Sequence, residues 1–581
     1  MSLLSPGIRA LLEIFWRHRR NVAPGILCLL VVDAAQLAIP LVVKSVVDGI
    51  VSLGVTPSWI GWRALALLGL ALTVALFRFL WRHFFFSTAR RAEMELRTRI
   101  FRHVLSLPSK FFTGSRTGEV MALAVNDVES VREAVAMGFV AGFDATAYAL
   151  VAIIAMLVLD PALALWTILP LPFLAVLMLF SLRAIYSRWD AVQASFEAMT
   201  EKARESIAGV RVLRAYVQEE GDSHDFNRHS GDYYAKYMRY TRLDAMFHPA
   251  ILAMAGGCMA ILLGVGGGRI IDGKTSVGSF VAFASYLGML MWPMIAAGWM
   301  GTLVQRASAS MDRIQTLLRE APEEDSKGDE PEKPTGAVEF RNLTFAYPGQ
   351  AVPALDGLSF SLPAGGGLGI VGEVGSGKST VVQLLCRIWD PPRGAVLLDG
   401  KDALDLPLRT LRAAIAYVSQ EAFLFSETIE DNLRVGGPDA SREELEQAAG
   451  AAAFHGEVMG FAEGYATLLG ERGITLSGGQ KQRLCLARAL IKRAPVLVLD
   501  DTLSAVDAET EAKILEGLAR WAPHQTRIVV SHRVSAVKAL DEILVLRRGR
   551  VIQRGTHASL MAEEGFYREM AELQQMVEKG G

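Results

Sequence analysis

The chain has little cysteine and almost no net charge. Four cysteines among 581 residues cannot staple a disulfide scaffold, and no Cys-x-x-Cys pair points to a thiolate metal site. The 59 Lys and Arg residues nearly balance 61 Asp and Glu, for a formal charge of −2 and a pI near 6.6, so no chain-wide basic field exists to hold nucleic acid. Disordered, collagen-like and coiled-coil compositions are equally missing. What the chain does have is apolar mass: 51% of residues are hydrophobic and the mean hydropathy is +0.29, more than ordinary soluble domains carry. The excess points to membrane spans in a chain long enough for roughly four domains.

That mass lies before residue 320. Apolar runs at 22–50, 59–86, 136–159, 161–184, 247–270 and 277–305 each reach the ~20 residues that cross a bilayer core. Six spans put both ends of the region on one side. Arg9, Arg17, Arg19 and Arg20 precede the first span, and the connections 87–135 and 185–246 are long and basic. The opposite connections are short: 51–58 and the Asp160–Pro161 break carry no Lys or Arg, and 271–276 carries only Lys274. The positive-inside rule then makes both termini cytoplasmic. Ile8–Trp16 reads as a helix lying on the inner membrane surface, and the long connections read as helices running past the membrane. Ala321–Thr335, rich in Pro, Glu, Asp and Lys, reads as a solvated linker between a membrane region, 1–320, and a second domain, 336–581.

The second domain opens its chemistry at Leu368–Val371, a short apolar run that predicts a buried strand. It leads into Gly372-Glu-Val-Gly375-Ser376-Gly377-Lys378-Ser379-Thr380 and an apolar helix. Strand, glycine-rich turn and helix form the P-loop context. Backbone N–H groups and the helix N-terminus would hold phosphates, Lys378 would reach the outer ones, and the Ser379 hydroxyl would ligate Mg²⁺. A second apolar run, Val496–Leu499, ends in Asp500-Asp501. A carboxylate at the end of a parallel strand lies at the phosphate edge of such a sheet, so Asp500 is expected to hold Mg²⁺ through water.

Between them stands Leu476-Ser477-Gly478-Gly479-Gln480. With the P-loop and Leu499-Asp-Asp501 in this order and spacing, the second half resembles an ATP-binding cassette. With six spans ahead of it, nearly the whole chain resembles a bacterial ABC exporter half-transporter. The resemblance implies an all-α six-helix transmembrane domain followed by an α/β P-loop nucleotide-binding domain, in the cytoplasmic membrane, with ATP and Mg²⁺ bound. It implies that Tyr347 stacks on adenine, that Gln420 in Tyr417-Val-Ser-Gln contacts Mg²⁺, and that His532 contacts the γ-phosphate. Ser504–Asp507 resembles the D-loop, and Leu469–Gly473 the segment that touches the intracellular helices. Phe111–Glu119 and Arg214–Glu220 resemble the coupling segments. In such cassettes two domains pair head to tail, so Ser477, Gly478, Gly479 and Gln480 would face the ATP of a partner chain.

One residue departs from the family pattern. The position after Asp500, usually Glu and the group that polarises the attacking water, is Asp501. Its side chain is one methylene, about 1.5 Å, shorter, and general-base geometry is sensitive at about that level. A short base beside an intact signature resembles one subunit of heterodimeric, multidrug-resistance-like exporters; a homodimer with two slow sites is the alternative. Substrates of this class are amphipathic or hydrophobic drugs, lipids or peptides. A lipid flippase remains open, and an ATP-gated channel or regulatory subunit is the other class. Asp33, Arg78 and Asp144 are ionisable residues inside the spans, where such groups face a protein interior or a wet cavity. Arg78 and Asp144 lie at similar depth and are placed to pair. Met289, Met291, Trp292, Met294, Trp299 and Met300 crowd the sixth span.

Overall fold

Helix-starting residues stand where the chain must turn back. The computed structural model describes residues 6–52, 54–114, 117–323, 325, 333–470, 473, 476–504 and 506–580. They divide into two units, Met1–Ser106 with Ser115–Glu320, and Leu107–Gly114 with Ala321–Gly581.

The first unit is helical. After the short helix Pro6–Arg17 come Arg19–Val51 and Pro57–Leu105. Thr117–Leu159 follows, with π-helical turns at Leu123–Asp127 and Ala134–Gly138. Next are Pro161–Ile168, Pro170–Ala208, Glu219–Ile261 continuing to Ile271, and Val277–Arg319. Pro57–Leu105 has 49 residues, about 74 Å of helix at 1.5 Å per residue, far more than a bilayer core needs. Thr56, Asp160 and Ser276 cap the helices that follow them, each accepting from a backbone N–H three residues on. Among the described residues four helices are long and apolar enough to cross a membrane: Arg19–Val51, Pro57–Leu105, Thr117–Leu159 and Leu252–Ile271; Val277–Pro293 is a shorter apolar stretch. The fourth expected span, 161–184, starts at Pro161, but the side chains of 171–183 lie outside the description, as do those of Met294 and Trp299.

Two buried acids in this unit are closed by arginine forks. Asp160 accepts from Arg269 Nε at 3.0 Å, Arg269 Nη2 at 2.9 Å and the Thr275 hydroxyl. Asp127 accepts from the Arg313 guanidinium and from Ser310 Oγ at 2.7 Å. The expected pairing of Arg78 with Asp144 does not close into such a fork. Both residues line one cavity, but Asp144 lies against the carboxyl of Asp33 instead. Depth along two helices can be counted from sequence; the rotation that decides which side chains meet cannot.

The second unit is an α/β fold with two sheets. A four-stranded antiparallel sheet has the order β2-β1-β4-β5, from β1 (Val338–Phe345), β2 (Leu355–Leu362), β4 (Val396–Leu398) and β5 (Lys401–Asp402). The larger sheet has the order β10-β9-β3-β8-β7-β6. Its strands are β3 (Gly367–Gly372), β6 (Ile415–Val418), β7 (Val496–Asp500), β8 (Thr526–Val530), β9 (Glu542–Arg547) and β10 (Arg550–Gly555). All its pairings are parallel except β9 with β10. Strands β3 and β7 are buried along their whole length, as continuous apolar runs require in a sheet covered on both faces. The parallel register brings the carboxyl ends of β3, β8 and β7 to one edge. Of the expected linker, Glu323 pairs with Arg412 at 2.6 Å and Asp325 accepts from Leu408 N at 2.7 Å; 324 and 326–332 lie outside the description. The four cysteines are all free and buried.

Candidate nucleotide site

The loop after β3 is built for close approach. Gly372 has φ +153° and a Cβ there would sit 2.1 Å from the Leu546 carbonyl oxygen; Gly377 has φ +100° and its Cβ would meet Ala354 O at 2.5 Å. Neither place admits a side chain. Lys378 opens the helix Lys378–Leu385 and its Nζ donates to the carbonyls of Gly372 at 2.8 Å and Glu373 at 2.7 Å. Burial pulls the Lys378 ammonium below its ordinary range, and the charges of Asp501 and Asp500 oppose that pull. The Ser376 hydroxyl is buried with no hydrogen-bond partner among the described residues.

Asp500 ends β7 and is 2% exposed. It accepts from Ser379 Oγ at 3.0 Å and from the Tyr417 hydroxyl at 3.4 Å. Burial pushes its carboxyl above the ordinary value; the bonds from Ser379 and Tyr417 and the charge of Lys378 hold it down. Hard oxygen donors from Ser379 and Asp500, already in contact, fit a Mg²⁺ ion. Asp501 follows with φ +49°, a left-handed backbone that Asp tolerates better than most residues. Its Oδ1 lies 2.8 Å from His532 Nδ1, and its N–H donates to Val530 O at 2.8 Å. His532 sits two residues beyond β8, the strand beside β7.

One cavity of about 460 Å³ brings Tyr347, Gln420, Asp500, Asp501 and His532 to the loop residues Gly375 and Gly377–Thr380. The Tyr347 hydroxyl lies 3.0 Å from Thr380 Oγ1 and donates to Gln383 Oε1 at 3.0 Å, while its ring meets Trp389 edge-on at 5.3 Å. Ser477–Gln480 is not part of this cavity. It caps the helix Gly478–Ile491 by reciprocal bonds: Ser477 N donates to Gln480 Oε1 at 2.8 Å, and Gln480 N to Ser477 Oγ at 3.3 Å. Ser477 and Gly478 are exposed, and Gln480 Nε2 also donates to Glu457 at 2.9 Å. Glu471, Arg472 and Ala505 lie outside the described residues.

Three residues at the site have no motif of their own. Tyr417 was legible only as part of the string before Gln420. Arg533 donates to the carbonyls of Ser504 at 2.8 Å and Val506 at 2.7 Å, tying the turn after β8 to the turn after β7. Gln574, on the helix Phe566–Gly580, donates from Nε2 to His532 O at 2.7 Å and accepts at Oε1 from Val534 N at 2.9 Å. Its position forty residues downstream gives no local signal.

Comparison with known proteins matches this architecture. A family model described as the ABC transporter transmembrane region matches residues 22–294, and one described as ABC transporter matches 355–504. The multidrug resistance-like ATP-binding protein MdlA of Escherichia coli is 36% identical over 565 residues, covering 97% of this chain and 95% of that protein. An ATP-dependent lipid A-core flippase of Dechloromonas aromatica is 31% identical over 557 residues, 95% and 94% of the two chains. The structure of a bacterial Atm1-family ABC exporter with ATP bound superimposes with a TM-score of 0.77 at 28% identity, over 95% of this chain and 97% of that one. A helical membrane region, an α/β domain with a glycine-bound phosphate loop, and full-length relatives of both kinds place the chain in the ABC transporter family, as an exporter whose ATPase is coupled to transport across a membrane.

Proposed function

We propose that this chain is one half of a two-chain exporter that moves amphipathic or hydrophobic compounds out across the bacterial cytoplasmic membrane, and that its own ATP site turns over slowly. In this reading residues 1–320 form the membrane domain, 321–335 the linker and 336–581 the nucleotide-binding domain, with both termini cytoplasmic. Gly372, Gly375, Ser376, Gly377, Lys378 and Thr380 hold the phosphates of ATP, and Tyr347 packs against the adenine. Ser379, Asp500 and Gln420 hold Mg²⁺, which when bound offsets phosphate charge. His532 meets the γ-phosphate. Ser477, Gly478, Gly479 and Gln480 complete the partner's site, where a helix N-terminus favours an anion.

The observation that carries the asymmetric reading is Asp501. The residue in the position of the water-polarising base is an aspartate whose carboxylate is engaged by His532 at 2.8 Å. A side chain about 1.5 Å shorter than glutamate and held to the histidine is poorly placed to orient water. In the assembled transporter, Asp501→Asn should change ATP turnover less than about twofold. Neutralising the partner's glutamate should lower it by the ~10²–10⁴-fold of a lost general base. Equal losses from the two substitutions would make Asp501 a working base and sink the asymmetric reading. A homodimeric lipid flippase is the second reading, favoured by the 31% identity to a protein named as one. Steady-state ATPase from this chain purified alone in lipid separates the two.

A further inference from the structure

We propose that the membrane unit contains a subsite for the ammonium end of an amphipathic molecule, formed by Asp144, with the Asp33 carboxyl buried behind it, in a cavity walled by Trp81, Tyr148, Met289 and Trp292. The cavity is about 320 Å³ and lies among the helices Arg19–Val51, Pro57–Leu105, Phe139–Leu159 and Val277–Arg319, within one unit of the chain.

Two of the other buried acids of this unit are satisfied within the fold. Asp160 and Asp127 each receive an arginine and a hydroxyl, and their oxygens are satisfied. Asp33 is 4% exposed, and no donor among the described residues reaches either of its oxygens. The group facing it is the Asp144 carboxyl, with which it can bond only by sharing a proton. Arg78 lines the same cavity but closes no ion pair with either carboxylate. Two acids and one arginine leave one negative charge in excess when both acids are ionised. Such an arrangement within a membrane is costly unless it serves a pathway or a ligand.

The walls point to the same chemistry. Trp81 is 8% exposed, lines the cavity, and its Nε1 has no acceptor among the described residues. Aromatic faces attract a cation, and more strongly where water is scarce. Met289 and the rings supply adaptable apolar surface for the rest of the molecule. An ammonium in the cavity would give Asp144 a donor in place of a proton shared with Asp33, and an ether or carbonyl near it would give Trp81 Nε1 an acceptor. The inference rests on the export reading for why cargo should reach this cavity; the binding chemistry itself does not.

The test uses the full transporter, with its partner chain if one is required, in lipid discs of phosphatidylglycerol, which carries no amine, without nucleotide. Dansylcadaverine, a primary amine, is titrated against its neutral N-acetyl derivative. The amine should bind at least tenfold more tightly. Asp33→Asn and Asp144→Asn should each cut that preference to under threefold while the acetyl derivative keeps its affinity, which also certifies the fold of the variants. Equal affinities in the natural chain, no binding of the amine, or a preference that survives both substitutions would overturn the proposal. If a variant does not fold, the preference in the natural chain and its response to Arg78→Lys plus added salt do not substitute for it; Asp144→Glu, which keeps the charge and should keep the preference, does. In discs containing ethanolamine phospholipid, loss of dansylcadaverine binding assigns the subsite to a lipid ammonium, and retention assigns it to a free amine. ATP-dependent uptake into vesicles is scored separately: uptake without amine preference removes the subsite and leaves the exporter, while preference without uptake removes the export reading and leaves the subsite.

Discussion

Asp500 shows what a phosphate site costs the fold that carries it. The carboxyl is almost wholly buried, and burial raises it above its ordinary value of 3.8. A group whose folded value is raised favours the folded state while protonated, so its contribution is present below pH 3.8 and is lost as pH rises through the raised value. At neutral pH the ionised Asp500 is therefore a liability that a bound cation relieves. Asp500→Asn should raise the melting temperature of the nucleotide-free protein at pH 7–8, by about 2–4 °C for each kcal/mol recovered. The difference from the natural chain should shrink toward pH 4, and stabilisation by Mg²⁺ and ATP should disappear. A nucleotide-free variant no more stable than the natural chain at neutral pH would show that burial of this charge is already compensated. Residues of this kind were legible in the sequence because their chemistry fixes their spacing: a loop that must admit phosphate needs glycine, and Lys378, Ser379 and Asp500 follow from it. The meeting of Asp33 with Asp144 was not legible, because it depends on how two helices are rotated about their axes.

Elements were easier to read than their junctions. The continuous apolar runs at β3 and β7 are strands, and the helix Pro57–Leu105, at 49 residues, is longer than a bilayer core requires. The π-helical turns between Leu123 and Gly138 left no trace in the apolar period, since one extra residue per turn only shifts the stripe sideways. The C-terminal helix Phe566–Gly580 holds the turn bearing His532 through one amide, that of Gln574. Gln574→Ala should remove two hydrogen bonds, about 1–3 kcal/mol together. It should lower the denaturation midpoint and loosen residues 532–534, measured as faster amide exchange at Val534. Gln574→Glu keeps the acceptor for Val534 N and loses the donor to His532 O, so its exchange rate should fall between the two. Unchanged exchange in Gln574→Ala would mean that Arg533 alone fixes the turn.

At the scale of the whole molecule, the signature Ser477–Gln480 stands apart from the cavity that gathers the P-loop, Asp500 and His532, and its first residues are exposed. Gly478→Asp preserves the Ser477 cap while setting a negative charge where the helix N-terminus would meet a partner's γ-phosphate. Steady-state ATPase of the assembled transporter should fall nearly to nothing while nucleotide binding to this chain persists; activity above about half would mean that the productive site does not use this signature. The burial of all four thiols has a consequence for how the working transporter can be watched. A maleimide reacts with thiolate, and burial lifts the Cys386 thiol to about 12 and raises that of Cys485 as well. Cys28 and Cys258 are buried among the membrane helices. The natural chain should therefore label slowly, and a single cysteine introduced at Val374, which is fully exposed in the phosphate loop, should take up a spin or fluorescent probe ahead of all of them. With a second probe on the partner chain, opening and closing over ATP becomes a spectroscopic distance, read without first stripping this chain of its own sulfur.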